Sequence, residues 1–179
     1  ALGSSYGPRW SRLLVSLSIK LIQGTPLLVL LPLAYFGLPA LGLDVAPLAA
    51  AALALSIYVS AYLGEIWRGC IESVPRTQAE AAECLALRWH QRVWHVILPQ
   101  AIKIATPPTV GFMVQIVKNT SLASAIGFVE LARAGQIINN STFEPFVIFV
   151  IVAVLYFVLC YPLSVLSRSL ERKFHVAHR

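Results

Sequence analysis

Residues 145–167 read PFVIFVIVAVLYFVLCYPLSVLS and contain no Asp, Glu, Lys or Arg. Because an α-helix rises 1.5 Å per residue, about 20 such residues cross the ~30 Å hydrocarbon core of a bilayer. Two more uncharged windows, 21–43 and 45–64, pass the same length test, and a fourth apolar stretch, 104–129, is interrupted only by Lys118. The sequence therefore predicts an all-α integral membrane protein, with about four transmembrane helices in a single domain over residues 1–179.

The composition agrees, since 58% of the 179 residues are hydrophobic and only 12% are charged. A soluble domain carries about 25% charged residues, so a water-soluble globular enzyme is excluded. The three cysteines and four histidines show no metal-ligand spacing, and we predict neither a metal site nor a cofactor. The chain also lacks a G-x-x-x-x-G-K-[ST] phosphate-binding motif and a nucleophile with a nearby base, so any catalysis is expected on another chain.

The basic residues indicate how the chain is oriented. If the four spans alternate in direction, 12 of the 14 Lys and Arg residues fall on one side, and by the positive-inside bias that side is cytoplasmic. The C-terminus is then predicted to be cytoplasmic as well, and the net charge of +6 indicates topology rather than nucleic-acid binding. These 12 residues are Arg9, Arg12, Lys20, Arg68, Arg76, Arg88, Arg92, Lys103, Arg168, Arg172, Lys173 and Arg179.

The segment 65–103, between two of the predicted spans, has a pattern of its own. Thr77 and Glu80 fit a capping box, in which each side chain accepts a hydrogen bond from the other residue's amide. An amphipathic helix around residues 77–92 is predicted to follow and to end before Pro99. One face of this helix carries small and apolar residues at three- to four-residue spacing, namely Ala79, Ala82, Ala86, Trp89 and Val93. Small residues let a partner approach the backbone closely, so we predict a docking element at the membrane surface.

Polar residues within the apolar stretches suggest a pathway. Gly24-Thr25-Pro26, with the later Pro32 and Pro39, predicts that the first span is bent or broken. A lysine at mid-bilayer, such as Lys118, costs about 2.5–3.5 kcal/mol unless it meets a counter-group or water. One interpretation places the translocation pathway, or a structural tie beside it, at Lys118. In the other, the helix ends near Val117 and the lysine reaches the interface. Glu65 and Arg68 are interpreted as an ion pair or interface contacts rather than as ligands. The candidate pathway residues are Thr25, Gln115, Lys118, Asn119, Thr120 and Ser121.

Several of these motifs resemble one family. Glu80-Ala81-Ala82, Ala86 and Val96-Ile97-Leu98-Pro99 resemble the EAA loop of ABC importer permeases, with matching spacing. The flanking stretches 22–31, 61–75 and 118–127 are similar to the polar amino acid (His/Glu/Gln/Arg/opine) permeases, which have a MetI-like transmembrane fold. The chain departs from the family pattern at five positions, which are Gln23, Cys70, Thr77, Ala86 and Asn119.

The resemblance implies a permease subunit of an ATP-driven importer in the bacterial inner membrane, which works by alternating access. It also implies ABC ATPase subunits, a second permease subunit, either identical or similar, and an external amino acid-binding protein as partners. The family usually has five helices per subunit, and its first helix is expected to be missing here. Two alternatives remain open, an ATP-independent transporter or channel and a non-transporting degenerate paralogue. The residues implied in coupling to the ATPase are Thr77, Glu80, Ala81, Ala82, Ala86, Leu98 and Pro99.

Overall fold

The computed structural model describes the backbone of residues 9–175 and the side chains of residues 13–174, and this part of the chain contains helices and no strand. In chain order the elements are α1 (Arg9–Gly24), α2 (Leu27–Ala40), α3 (Pro47–Glu72), α4 (Arg76–Cys84), α5 (Trp89–Arg92), a π-helical turn (Val93–Ile97), α6 (Leu98–Asn119), a 3₁₀ helix (Thr120–Ile126), α7 (Leu131–Thr142) and α8 (Pro145–His175). Residues 176–179, with the predicted cytoplasmic Arg179, and the side chains of Arg9 and Arg12 lie outside the described residues.

The first predicted span is broken. Helices α1 and α2 meet at 102° on either side of Thr25 and Pro26. Proline disfavours the helical conformation in the residue before it, so α1 ends there, and a new helix starts with Val29 and Leu30 donating to the Pro26 carbonyl. The predicted break is therefore confirmed at Thr25 and Pro26, whereas Pro32 and Pro39 lie inside α2 and do not interrupt it.

Small residues hold the first half of the molecule together. Helix α2 packs against α3 and the 3₁₀ helix. The buried contacts come mainly from alanine, which lets the helix axes approach closely in a lipid environment. This apolar cluster consists of Leu27, Leu31, Ala50, Ala51, Ala54, Ala123 and Ile126.

The second half is built around α6, which packs along both α3 and α8. The helical path through α5, the π-helical turn and α6 has no break from Trp89 to Asn119. Helical structure therefore continues through Pro99, whereas the helix that carries Thr77 and Glu80 ends before it, at Cys84. Pro107 and Pro108 lie inside α6. The Ser167 hydroxyl on α8 donates to the Pro107 carbonyl at 3.0 Å and ties the two helices together at this point.

Two helices are long and apolar enough to cross a membrane by themselves, Pro47–Glu72 and Pro145–Phe174. The bent pair α1–α2 and the 51° pair formed by Trp89–Ile126 and Leu131–Thr142 would bring the number to four. The all-helical architecture agrees with the sequence prediction, and the predicted number of about four crossings is reached when each bent pair is counted as one span.

Candidate functional site

Helix α4 presents two different faces. Thr77, Glu80 and Ala81 are exposed, while Ala82 is only 3% exposed and faces inward. The predicted capping box is wrong, because the helix begins at Arg76 and Thr77 and Glu80 both lie inside it. The first turn starts at Pro75, whose carbonyl accepts from the Gln78 amide at 3.0 Å. Proline fixes φ near the helical value, and the helix starts two residues earlier than the Thr77 pattern suggested.

Helix α4 ends in a left-handed turn at Ala86, where φ is +57°. The Ala86 amide donates to the Glu83 carbonyl at 2.8 Å, and the Leu87 amide donates to the Ala82 carbonyl at 3.2 Å. This pair of bonds is the Schellman motif, which normally has glycine at the left-handed position. The single helix predicted around 77–92 is therefore wrong, since this turn separates α4 from α5.

A small apolar cluster lies beneath α4. Its members come from the end of α3, the connection 73–75, the π-helical turn and the first turn of α6, so it joins the helices on either side of α4. They are Ile71, Val74, Val93, Ile97 and Ala101. Ala79 of α4 packs against it. Two polar contacts add to this packing. Gln100 Nε2 approaches Gln78 Oε1 at 3.5 Å, and Arg92 Nη1 lies 2.7 Å from Glu83 Oε2.

Leu98 and Pro99 form the first turn of α6, directly after the π-helical turn. The Leu98 amide donates to the Val93 carbonyl, five residues back, which is the hydrogen bond of a π-helix. Pro99 has no amide hydrogen, so the α-helical bond to the carbonyl of His95 cannot form there. The wider turn accommodates this loss without ending the helix. Thus Leu98 and Pro99 lie at the base of α6, while Thr77, Glu80 and Ala81 lie on the outer face of α4.

The polar residues predicted for the pathway are only partly brought together. Gln115 Nε2 donates to Asn119 Oδ1 at 3.1 Å, one turn along α6. Thr120 and Ser121 donate to backbone carbonyls of their own segment, each at 2.7 Å. Lys118 is exposed at the end of α6.

In the part of the chain that the structure describes, no hydrogen bond joins Thr25 to this group. Its hydroxyl donates at 2.9 Å to the Leu21 carbonyl, next to the break between α1 and α2. The aromatic rings of Tyr58, Tyr62 and Phe112 follow one another along the α3–α6 interface. Tyr58 and Tyr62 are tilted at 36° with centroids 4.4 Å apart, and Tyr62 and Phe112 are stacked at 5.6 Å.

The sequence interpretation of Glu65 and Arg68 as an ion pair is confirmed. Arg68 Nε donates to Glu65 Oε2 at 2.9 Å, and the same guanidinium also contacts Glu72. Spacings of three and four residues place all three side chains on one face of α3. An open cleft between α1, α3 and α6 adjoins this group and is lined in part by Gln23, Tyr62, Glu65, Ser73 and Pro108.

Sequence reasoning missed Glu130, which connects α7 and α8. Its carboxylate accepts hydrogen bonds from the Ala132 and Arg133 amides at 2.8 and 2.7 Å, and so caps α7. The Tyr156 hydroxyl of α8 also donates to it, at 2.8 Å. Glutamate is not among the residue types that N-cap positions strongly prefer, so the pattern gave little signal.

The described residues contain no group of three His, Cys, Asp or Glu side chains that could hold a metal ion.

Comparison with known proteins places the chain in a family. Residues 1–176 match the family described as the binding-protein-dependent transport system inner membrane component. The chain is 35% identical to the probable amino-acid ABC transporter permease protein YckA of Bacillus subtilis, over 93% of this chain and 72% of that protein. It is 36% identical to the L-cystine transport system permease protein TcyB of the same organism, over 92% of this chain and 70% of that one.

One solved structure, described as an amino acid ABC transporter with histidines, superposes with a TM-score of 0.90 at 36% identity and covers 96% of this chain and 80% of that chain. The chain therefore belongs to the inner-membrane components of binding-protein-dependent transport systems, and it is a permease subunit of an ABC importer.

Proposed function

We propose that this subunit moves polar amino acids across the bacterial inner membrane by alternating access, and that ABC ATPase subunits docking on α4 drive the movement. The observation that carries the proposal is the two-faced geometry of α4. Thr77, Glu80 and Ala81 project outward, while Ala82 packs inward. A helix seated on an apolar cluster and exposed on its other side can be displaced by a partner without unfolding.

The choice of substrate rests on the relatives, which are named as amino-acid, glutamine and cystine permeases. The candidate pathway in this chain is polar but carries few charges. Gln115 and Asn119 are joined by a hydrogen bond, with Lys118, Thr120 and Ser121 next to them and Thr25 at the helix break. Such groups can exchange hydrogen bonds with a zwitterion that has lost its water.

The proposed assembly has three kinds of component. Two permease subunits, identical or similar, form the pathway. The ATPases bind at the cytoplasmic face and carry out ATP hydrolysis, and an external binding protein delivers the amino acid. The excess of Lys and Arg between and after the spans supports a cytoplasmic location for both α4 and the C-terminus.

The test uses the complete protein reconstituted in liposomes with its ATPase and its binding protein. Glu80→Arg should abolish the ATP hydrolysis that a loaded binding protein stimulates, because the exposed carboxylate becomes a bulky cation at the docking face. Membrane insertion should be unchanged. Ala82 is less suitable for this test, because a large side chain there would disrupt packing.

The matched control is Glu171→Arg, which makes the same charge change at an exposed position of α8 and should leave stimulation intact. Normal stimulated hydrolysis in Glu80→Arg would contradict the docking role. Uptake of labelled amino acid without any ATPase would support an ATP-independent transporter instead, and no uptake by the complete assembly would support a non-transporting paralogue.

A further inference from the structure

Helix α4 is joined to the rest of the chain through two short connections. Residues 73–75 join it to α3, and the turn 85–88 joins it to α5. The second connection includes Ala86 in the left-handed conformation, and three of its four residues are exposed. A turn of this kind has few packing contacts, so it is a compliant link for transmitting a displacement.

One ion pair bridges this turn. Arg92 Nη1, at the end of α5, lies 2.7 Å from Glu83 Oε2, in the last turn of α4. The arginine side chain is only 21% exposed, whereas the glutamate is 69% exposed. The guanidinium is thus held on the protein surface by its surroundings. It pairs with a carboxylate of α4, the helix that the ATPase would contact.

Arg92 also lies at the start of a continuous helical path. It precedes the π-helical turn directly, and Val93 and Ile97 of that turn are buried in the apolar cluster beneath α4. Beyond the turn, α6 runs without a break to Lys118 and Asn119. A displacement of α4 that reaches Arg92 is therefore passed along a rigid helix to the candidate pathway.

We infer that Arg92 is a positioning residue, and that its ion pair with Glu83 is the strut that makes α6 follow the movement of α4. This inference rests on the proposed function of α4 as the ATPase-docking helix. With the strut intact, α4 and α6 move as one body across the compliant turn. Without it, part of the displacement is absorbed by rotation about residues 85–88.

A pair that contributes only to stability would behave differently. A partly exposed ion pair contributes little to the free energy of folding. If the pair had only this role, its loss would lower ATP hydrolysis and transport by the same factor. Loss of a strut instead lowers the number of amino acids moved per ATP hydrolysed. That ratio does not depend on how much protein is folded, so it separates the two roles.

The experiment compares Arg92→Gln, Glu83→Gln and the exchanged pair Glu83→Arg with Arg92→Glu, in the complete reconstituted importer. Each single variant should lower the transport-to-hydrolysis ratio about fivefold, the factor that corresponds to about 1 kcal/mol of lost coupling. The exchanged pair should return the ratio to within about twofold of wild type, because it restores the attraction with the charges reversed. Lys103→Gln, which removes an exposed positive charge from α6, is the matched control and should leave the ratio unchanged.

An unchanged ratio in both single variants, with the wild type transporting normally, overturns the strut alone. An exchanged pair that performs no better than the single variants also overturns it. A wild-type importer that moves no amino acid overturns the proposed function and the strut with it.

Discussion

Ala86 has a backbone conformation that its side chain opposes. Its φ of +57° places Cβ close to the following carbonyl oxygen, which costs roughly 1–2 kcal/mol for a residue other than glycine. The same pair of turn hydrogen bonds recurs at Gly42 and Gly127, where φ is +82° and +81° and no side chain opposes it. The end of α4 therefore stores strain that the other two turns do not.

We expect Ala86→Gly to raise the free energy of unfolding by about 1 kcal/mol, because relief of the left-handed strain exceeds the added entropy of the unfolded chain. Denaturant titration of the purified subunit in detergent measures the change. Gly127→Ala is the matched control and should lower the same free energy by a similar amount. A lower stability for Ala86→Gly would contradict the strain argument.

Gly135 is constrained by space rather than by conformation. A Cβ atom at this position would lie 2.7 Å from Val152 Cγ2 of α8, closer than real side chains approach. Gly135→Ala should therefore lower the free energy of unfolding by about 1–3 kcal/mol, the usual effect of overpacking.

The addition of Val152→Ala should restore most of this loss, since the opposing methyl groups are removed. Gly64→Ala, in α3, meets no atom within 4 Å and serves as the control, with stability unchanged or raised. Additive effects of Gly135→Ala and Val152→Ala in a double-mutant cycle would exclude the proposed contact.

At the scale of elements, Glu130 makes the start of α7 depend on α8. It caps two amides of α7 and accepts the Tyr156 hydroxyl across 26 residues of sequence. Glu130→Gln keeps the shape of the side chain but removes one acceptor oxygen and the charge that favours a helix N-terminus. We expect a loss of about 1–2 kcal/mol in the free energy of unfolding.

Tyr156→Phe isolates the hydroxyl contribution. Both single variants and the double variant form a cycle, and an interaction energy of about 0.5–1.5 kcal/mol between the two positions is expected. A value near zero would show that Glu130 acts on α7 alone.

The elements differ in how far the sequence predicts them. The apolar windows and the Gly24-Thr25-Pro26 break were found because hydropathy and proline geometry are local properties. The boundary at Ala86 was missed because alanine favours helix, and only the tertiary position of α5 and the π-helical turn makes the chain reverse there. Two more features were missed for a related reason. The π-helical turn depends on how the helix accommodates Pro99, and the Glu130–Tyr156 contact joins residues that are far apart in sequence. The ion pair of Glu83 with Arg92 likewise forms only because the turn folds back.

At the scale of the whole molecule, the distribution of basic residues predicts on which side of the membrane α4 lies. Cys84 is exposed on α4, whereas Cys70 is half-buried and Cys160 is buried. Labelling of the Cys84 thiol therefore shows on which side of the membrane α4 lies. In intact cells a membrane-impermeant maleimide should leave Cys84 unmodified, and in inside-out vesicles it should react, as mass spectrometry would detect. Addition of the ATPase should then protect the thiol.

Cys84→Ser is the control for specificity and should abolish labelling in the vesicles. Asp44→Cys in that background places a thiol in the exposed connection between α2 and α3 and should react in intact cells. Labelling of Cys84 from outside would reverse the orientation derived from the positive-inside bias.

The unequal lengths of α2 and α8 have a consequence for the surrounding lipid. Helix α2 has 14 residues and is about 21 Å long, whereas the 31 residues of α8 extend over about 46 Å. A uniform hydrocarbon layer of ~30 Å matches neither. Helix α2 counts as a crossing only together with α1, so this bent pair and the long, tilted or protruding α8 present different apolar lengths to the lipid. The layer of lipid that surrounds this subunit is therefore uneven in thickness. The transport rate of the importer should depend on the acyl-chain length of the host phospholipids.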